Sequence, residues 1–157
     1  MQMTKGKRSR SSEQSKLEVD IRDRLSKQLN IILRGPKNIS LGSTHFVCVD
    51  AYSLDPRILV EIYSHQGGLK DGQKKKVSQD ILKLATIRNT NPNWREARLI
   101  MALGSKQALR SVKDSWLSVS ADQFNVELQY VELPLQSKTL LSEVQKRQDL
   151  TRDYKPR

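Results

Sequence analysis

Residues 97–103, ARLIMAL, form an almost unbroken apolar run, with Asn89 to Asn93 and Pro92 before it and Gly104-Ser105 after it. So short a run, bounded by breakers, reads as a strand buried on both faces at the centre of a sheet. A strand of that kind needs cover on both sides. The rest of the chain supplies it. From Glu13 onward Leu17, Ile21, Leu25, Leu29 and Ile32 recur at three- and four-residue spacing, a helical pattern that Gly35-Pro36 ends. Residues 45–51 (HFVCVDA) and 57–63 (RILVEIY) are rich in β-branched and aromatic side chains and read as two strands joined through the turn Ser53-Leu54-Asp55-Pro56. After the loop His65-Gln66-Gly67-Gly68, Asp71 can cap a helix to about Ile87 with Val77, Ile81, Leu84 and Ala85 as its apolar face. A short helix after Ser105 carries Ala108, Leu109, Val112, Trp116 and Leu117, and residues 124–132 alternate as a last strand. This order predicts an α/β fold, a mixed sheet covered by helices.

At 157 residues the chain suits one domain. The composition divides it into a basic arm over 1–12, read as disordered, an α/β domain over 13–133, and a basic helix or tail over 134–157. One cysteine, Cys48, excludes an internal disulfide framework and a Cys-rich zinc site, and it reads as a core thiol. Trp94 and Trp116 read as packing residues. No apolar run approaches the roughly 20 residues of a membrane span. No apolar segment follows the basic N-terminal residues, so a cytoplasmic protein without membrane contact is expected. The formal charge of +11 is uneven. Residues 1–16 hold five Lys/Arg against one Glu, and residues 134–157 hold six against three acids. Two basic ends on a folded centre suit a polyanion such as nucleic acid, since phosphate contacts release counterions. Lys5, Lys7, Arg8 and Arg10 at one end, and Lys146, Arg147 and Arg152 at the other, are the candidate contacts, together with Lys70, Lys74 and Lys75. Aromatic content of 5% argues against a base-stacking platform for single strands.

The segment from Asp50 to Lys83 carries the chemistry. With the hairpin turn centred between Asp55 and Pro56, Asp50 lies opposite Glu61 on one face of the sheet. Phe46 and Cys48 share that face by alternation, as do Leu59 and Tyr63, while Val47, Val49, Ile58, Val60 and Ile62 take the other. Two carboxylates on a mostly apolar hairpin repel each other and resist burial. A hard divalent cation, Mg²⁺ or Mn²⁺, would resolve both problems. The alternative is a solvated Asp50 at a frayed strand end, with Glu61 paired to a cation. On the following helix Gln73, Lys76, Asp80 and Lys83 fall beside the apolar stripe, where a lysine can reach over the sheet towards Glu61 and hold water or a phosphate. An ordinary solvated rim with an i,i+4 pair between Lys76 and Asp80 accounts for the same spacing.

The stretch VCVDAYSLDPRILVEIYSHQGGLKDGQKKKVSQDILKLATI resembles the PD-(D/E)XK nuclease-like superfamily. It is most similar to small members with a strand ending in Asp, a V-E-x-Y strand, a Gly-rich loop and a K-x-x-x-D-x-x-K-L helix. The matching positions are Asp50, Glu61, Tyr63, Lys76, Asp80, Lys83 and Leu84. The resemblance implies a restriction-endonuclease-like α/β fold, with a further short strand near Ile39–Leu41. It also implies phosphodiester hydrolysis in nucleic acid, DNA more than RNA, with Mg²⁺ or Mn²⁺ on Asp50 and Glu61. Tyr63 stands where the superfamily's lysine is expected, so Lys76 or Lys83 would serve from the helix, Lys83 being the one set deeper. Glu18 is a possible extra carboxylate and His65 a possible phosphate or metal contact. A member that kept binding and lost cleavage would look similar, and a basic structural protein with an incidental acidic pair is the third reading.

Overall fold

The apolar run becomes β5 (Arg98–Leu103), buried from its second residue onward. It pairs in parallel with β4 (Arg57–Tyr63) on one side and with β6 (Val126–Tyr130) on the other. β3 (Ala51–Leu54) adds an antiparallel edge to β4, giving a four-stranded mixed sheet in the order β3-β4-β5-β6. β1 (Lys37–Ser40) and β2 (Phe46–Val49) make a separate antiparallel ribbon. The computed structural model describes residues 5–42, 44–134 and Lys146, with side chains described from Ser12 onward. The C-terminal helix expected over 134–157, with Arg147 and Arg152, lies outside the described residues apart from Pro134 and an exposed Lys146. Among the described residues no helix is long and apolar enough to cross a membrane.

Helices cover both faces, so the α/β class read from the pattern holds. α1 (Lys5–Leu29) lays Leu17, Ile21 and Leu25 on the face formed by Ile58, Val60, Ile62, Ile100 and Ala102. α2 (Asp71–Thr90) buries Val77, Ile81, Leu84, Ala85 and Ile87, and packs with α3 (Lys106–Lys113) and α4 (Leu117–Gln123) over Leu59, Tyr63, Leu99, Met101 and Leu103. Both cores are largely apolar layers, and their burial is the main favourable term for a chain of this size.

Several elements depart from the pattern. α1 begins at Lys5, inside the stretch read as a disordered arm. Residues 5–12 hold no proline and several good helix formers, so nothing stops the helix from extending N-terminally. It ends earlier than expected, at Leu29, because Asn30 adopts φ 52° and caps it. The Asn30 and Ile31 amides donate back to the Lys27 and Ser26 carbonyls, which leaves Ile32 exposed rather than on the apolar stripe. Lys70 rather than Asp71 is the N-cap of α2. The single helix expected after Ser105 is two, and Trp116, in the corner between them, is 71% exposed instead of packed. Trp94 is buried as expected.

Candidate functional site

The β3–β4 register pairs Ala51 with Val60 and Leu54 with Arg57, so the hairpin turn is centred between Asp55 and Pro56. Extending that register by one residue sets Asp50 against Glu61. Asp50 itself is a bend, the point where the chain leaves the four-stranded sheet for the ribbon. Its side chain continues the ladder where the backbone stops: Asp50 Oδ2 accepts a hydrogen bond from the Ile62 amide at 2.8 Å. The bend also resets the alternation. Val49 and Val47 pack with the α2-side core, on the same face as Leu59, and not with Ile58, Val60 and Ile62 as the alternation predicted. Phe46 and Cys48 are accordingly exposed, so Cys48 is not a core thiol.

Glu61 stands in the middle of β4 on the face that α2 covers, and only 1% of it is exposed. Burial first, then the hydrogen bond and charge of neighbouring Asp50, push its pKa from the ordinary carboxylate range up to about 9, against the pull of Lys83. Lys83 supplies the opposing charge. Its Nζ donates to Glu61 Oε1 at 2.8 Å and to the Cys48 carbonyl at 3.1 Å, and lies 3.9 Å from Asp80 Oδ1. Lys83 is therefore not too deep in the core: about two turns beyond Lys76 along α2, its ammonium is level with Glu61. Lys76 sits about two turns nearer the start of α2, its side chain 57% exposed against 22% for Lys83. It donates to Asp80 Oδ1 at 2.9 Å. Burial would lower the Lys76 pKa, but the bond to Asp80 and that carboxylate's charge outweigh it and raise the net value. Asp80 is buried, which raises its pKa in spite of Lys76 and Lys83, and its Oδ2 has no hydrogen-bond partner.

Glu18 approaches from α1. Burial and the charge of Asp50 raise its pKa, and it lines a small cleft of about 120 Å³ with Ser15, Val19, Arg22, Gly35 and Asp50. The fold thus gathers Glu18, Asp50, Glu61, Lys76, Asp80 and Lys83 from α1, the β2–β3 bend, β4 and α2. Tyr63, two residues after Glu61, is buried under α2 with its pKa raised by burial, and His65 lies with its ring 5.3 Å from it. Gln73 is not in the cluster. Its Oε1 accepts from the Lys70 amide at 2.9 Å and so caps α2. Lys70, Lys74 and Lys75 lie in that first turn, Lys70 and Lys75 exposed and Lys74 partly so. The side chains of Lys5, Lys7, Arg8 and Arg10 lie outside the described residues. Two positioning residues escaped the sequence pattern. Gly35, read only as a helix stop, is pressed against the Asp50 backbone, and Arg22 Nη1 donates to its carbonyl at 3.1 Å.

Among the described residues no group of three or more His, Cys, Asp or Glu side chains is arranged to hold a metal ion. The donor set is the Asp50–Glu61 pair. Two hard carboxylates side by side, one of them bonded to Lys83, suit a Mg²⁺-type ion, which would take its remaining ligands from water and phosphate. Comparison with known proteins gives no matching family model, no matching curated protein and no matching solved structure.

The raised Glu61 pKa has a thermodynamic sign. Between about pH 4.5 and about pH 9 the folded metal-free protein holds a proton that the unfolded chain releases. That contribution to stability is complete below the lower value and is lost as pH rises through the upper one. The slope is at most about 1.4 kcal/mol per pH unit for one proton. Melting temperatures measured in a chelator are expected to fall from pH 5.5 to 8.5, and Glu61→Gln to flatten that fall. Equal slopes in the two proteins would refute the assignment.

Proposed function

We propose that the chain is a divalent-metal-dependent nuclease that hydrolyses phosphodiester bonds in nucleic acid, DNA rather than RNA, in the cytoplasm. The observation that carries this reading is the Lys83 ammonium on the Asp50–Glu61 pair. A cation beside an acidic pair supplies the charge stabilisation and the metal-holding oxygens that phosphodiester hydrolysis needs. Asp50 and Glu61 would hold Mg²⁺ or Mn²⁺. When bound, such an ion lowers the pKa of a water and neutralises phosphate charge. Lys83 orients the attacking water and offsets charge that develops on the phosphate. Lys76, the more exposed of the two lysines, engages the phosphate, and Lys70, Lys74 and Lys75 extend positive charge along the approach. Glu18 faces Asp50 from α1 and limits the site on that side.

A second reading, a non-catalytic nucleic-acid- or protein-binding module, is favoured by Tyr63, which fills the usual lysine position with a buried phenol. One experiment separates the readings. Thermal unfolding of wild type and Glu61→Gln is followed over millimolar Ca²⁺ or Mn²⁺, then paired with cleavage assays on DNA and RNA. Binding to the native state alone stabilises by about 2.7 kcal/mol at a hundredfold excess over Kd. The nuclease reading expects a metal-dependent rise in wild type, none in Glu61→Gln, and Mn²⁺-dependent cleavage of DNA. A metal shift without cleavage supports the binding module. No shift and no cleavage leaves the acidic pair incidental.

A further inference from the structure

Lys83 has two carboxylates within reach and is bonded to one of them. Its Nζ is 2.8 Å from Glu61 Oε1 and 3.9 Å from Asp80 Oδ1, with the Cys48 carbonyl at 3.1 Å as a third partner. Asp80 is 1% exposed, Lys76 takes its Oδ1, and its Oδ2 is buried with no partner. A buried carboxylate oxygen without a hydrogen bond is costly and calls for an explanation. Asp80 lies three residues before Lys83 on the same face of α2, so a swing of about 1 Å by the ammonium would bring it within hydrogen-bond distance of Oδ1, and the carboxylate, with Oδ2 unpartnered, has capacity for a second cation.

A divalent cation that takes Glu61 through Oε1 competes with the ammonium for that oxygen and repels it. The ammonium then leaves Oε1, and the next carboxylate oxygen, Asp80 Oδ1, is 3.9 Å away. We propose that Lys83 is the resident counter-ion of the acidic pair, displaced by the incoming metal onto Asp80, which acts as a positioning residue that receives it. The inference rests on the reading of Asp50 and Glu61 as the cation-holding pair. Asp80, which already accepts from Lys76, keeps the displaced ammonium beside the site, and the charges of Glu18 and Asp50 act on the same cluster from α1 and the β2–β3 bend.

The test is a thermodynamic cycle on Mn²⁺ binding by the full chain, read from the electron paramagnetic resonance signal of free Mn²⁺, with no activity required. Lys83→Met is expected to bind Mn²⁺ about tenfold more tightly than wild type, since no ammonium has to be displaced. Asp80→Asn is expected to weaken binding by about tenfold in the wild-type and Lys76→Met backgrounds, and by less than about twofold in the Lys83→Met background. Equal weakening in all three backgrounds would show that Asp80 acts by its own charge on the metal, and would overturn the exchange. Should Asp80→Asn fail to fold, Lys83→Met alone decides: binding no tighter than wild type overturns the proposal. No Mn²⁺ binding by either wild type or Lys83→Met removes the pair as a cation site, and the exchange with it. Binding by wild type without the Lys83 dependence removes only the exchange.

Discussion

Lys83→Met is expected to lower Mn²⁺-dependent cleavage of supercoiled plasmid DNA by about a hundred- to a thousandfold in kcat, the usual cost of deleting one preorganised charge donor. Lys76→Met is expected to act mainly on KM, by less than about tenfold, because that ammonium is more exposed and is held by Asp80 rather than by the acidic pair. The contrast follows from position. Lys83 touches Glu61, and Lys76, about two turns towards the start of α2, is held by Asp80. Arginine should not restore the Lys83 function, since a planar guanidinium cannot replace a compact ammonium between Glu61 Oε1 and the Cys48 carbonyl. Because Lys83→Met is also expected to tighten metal binding, the lost rate would not reflect a lost metal. Initial rates at saturating Mn²⁺ check both variants. Full activity in Lys83→Met with none in Lys76→Met would transfer the role to the outer lysine.

The second large effect is structural. Gly35→Ala is expected to cost about 3 kcal/mol and to abolish the metal-dependent rise in melting temperature. Gly35 has φ +139°, and a Cβ there would lie 2.6 Å from the Asp50 carbonyl oxygen and 2.9 Å from the Ala51 Cα. Both neighbours are backbone and cannot rotate away. The chain would have to move at the bend that presents the Asp50 carboxylate. Gly42→Ala is the control. Its φ is +86° with nothing within 4 Å, so only the conformational cost of about 1 kcal/mol remains. Urea melts of the two variants measure the difference, and equal losses would refute the close approach at Gly35.

The legible parts of the sequence were those governed by local period and turn chemistry. The buried strand at β5, the apolar face of α2 and the turn at Asp55-Pro56 all follow from such signals, and the turn centre put Asp50 level with Glu61. The choice between Lys76 and Lys83 was not legible, because it depends on how far α2 has travelled along β4 when each lysine comes level with Glu61. Alternation across 46–51 failed because one bend at Asp50 exchanges the two faces, and period-two reasoning assumes an unbroken pleat. Phe46 and Cys48 were misplaced for that reason. Trp116 was misplaced because a large aromatic residue in a helical pattern was taken for core when the chain turns a corner there. Gly35 gave no periodic signal at all, since what it contributes is the absence of a side chain.

Asp50 is registered against β4 by its own carboxylate on the Ile62 amide and by the β3–β4 ladder that starts at Ala51. The base of the β1–β2 ribbon is packed on the α2-side core through Ile39 and Val49, while Thr44, His45 and Phe46 at its far end are exposed. Residues gained or lost at its far end would change its reach without altering the level of Asp50 against Glu61. The chain separates the part free to vary from the part that must stay in place. A lineage could remodel what the ribbon touches while the charged cluster at its base kept the same dimensions.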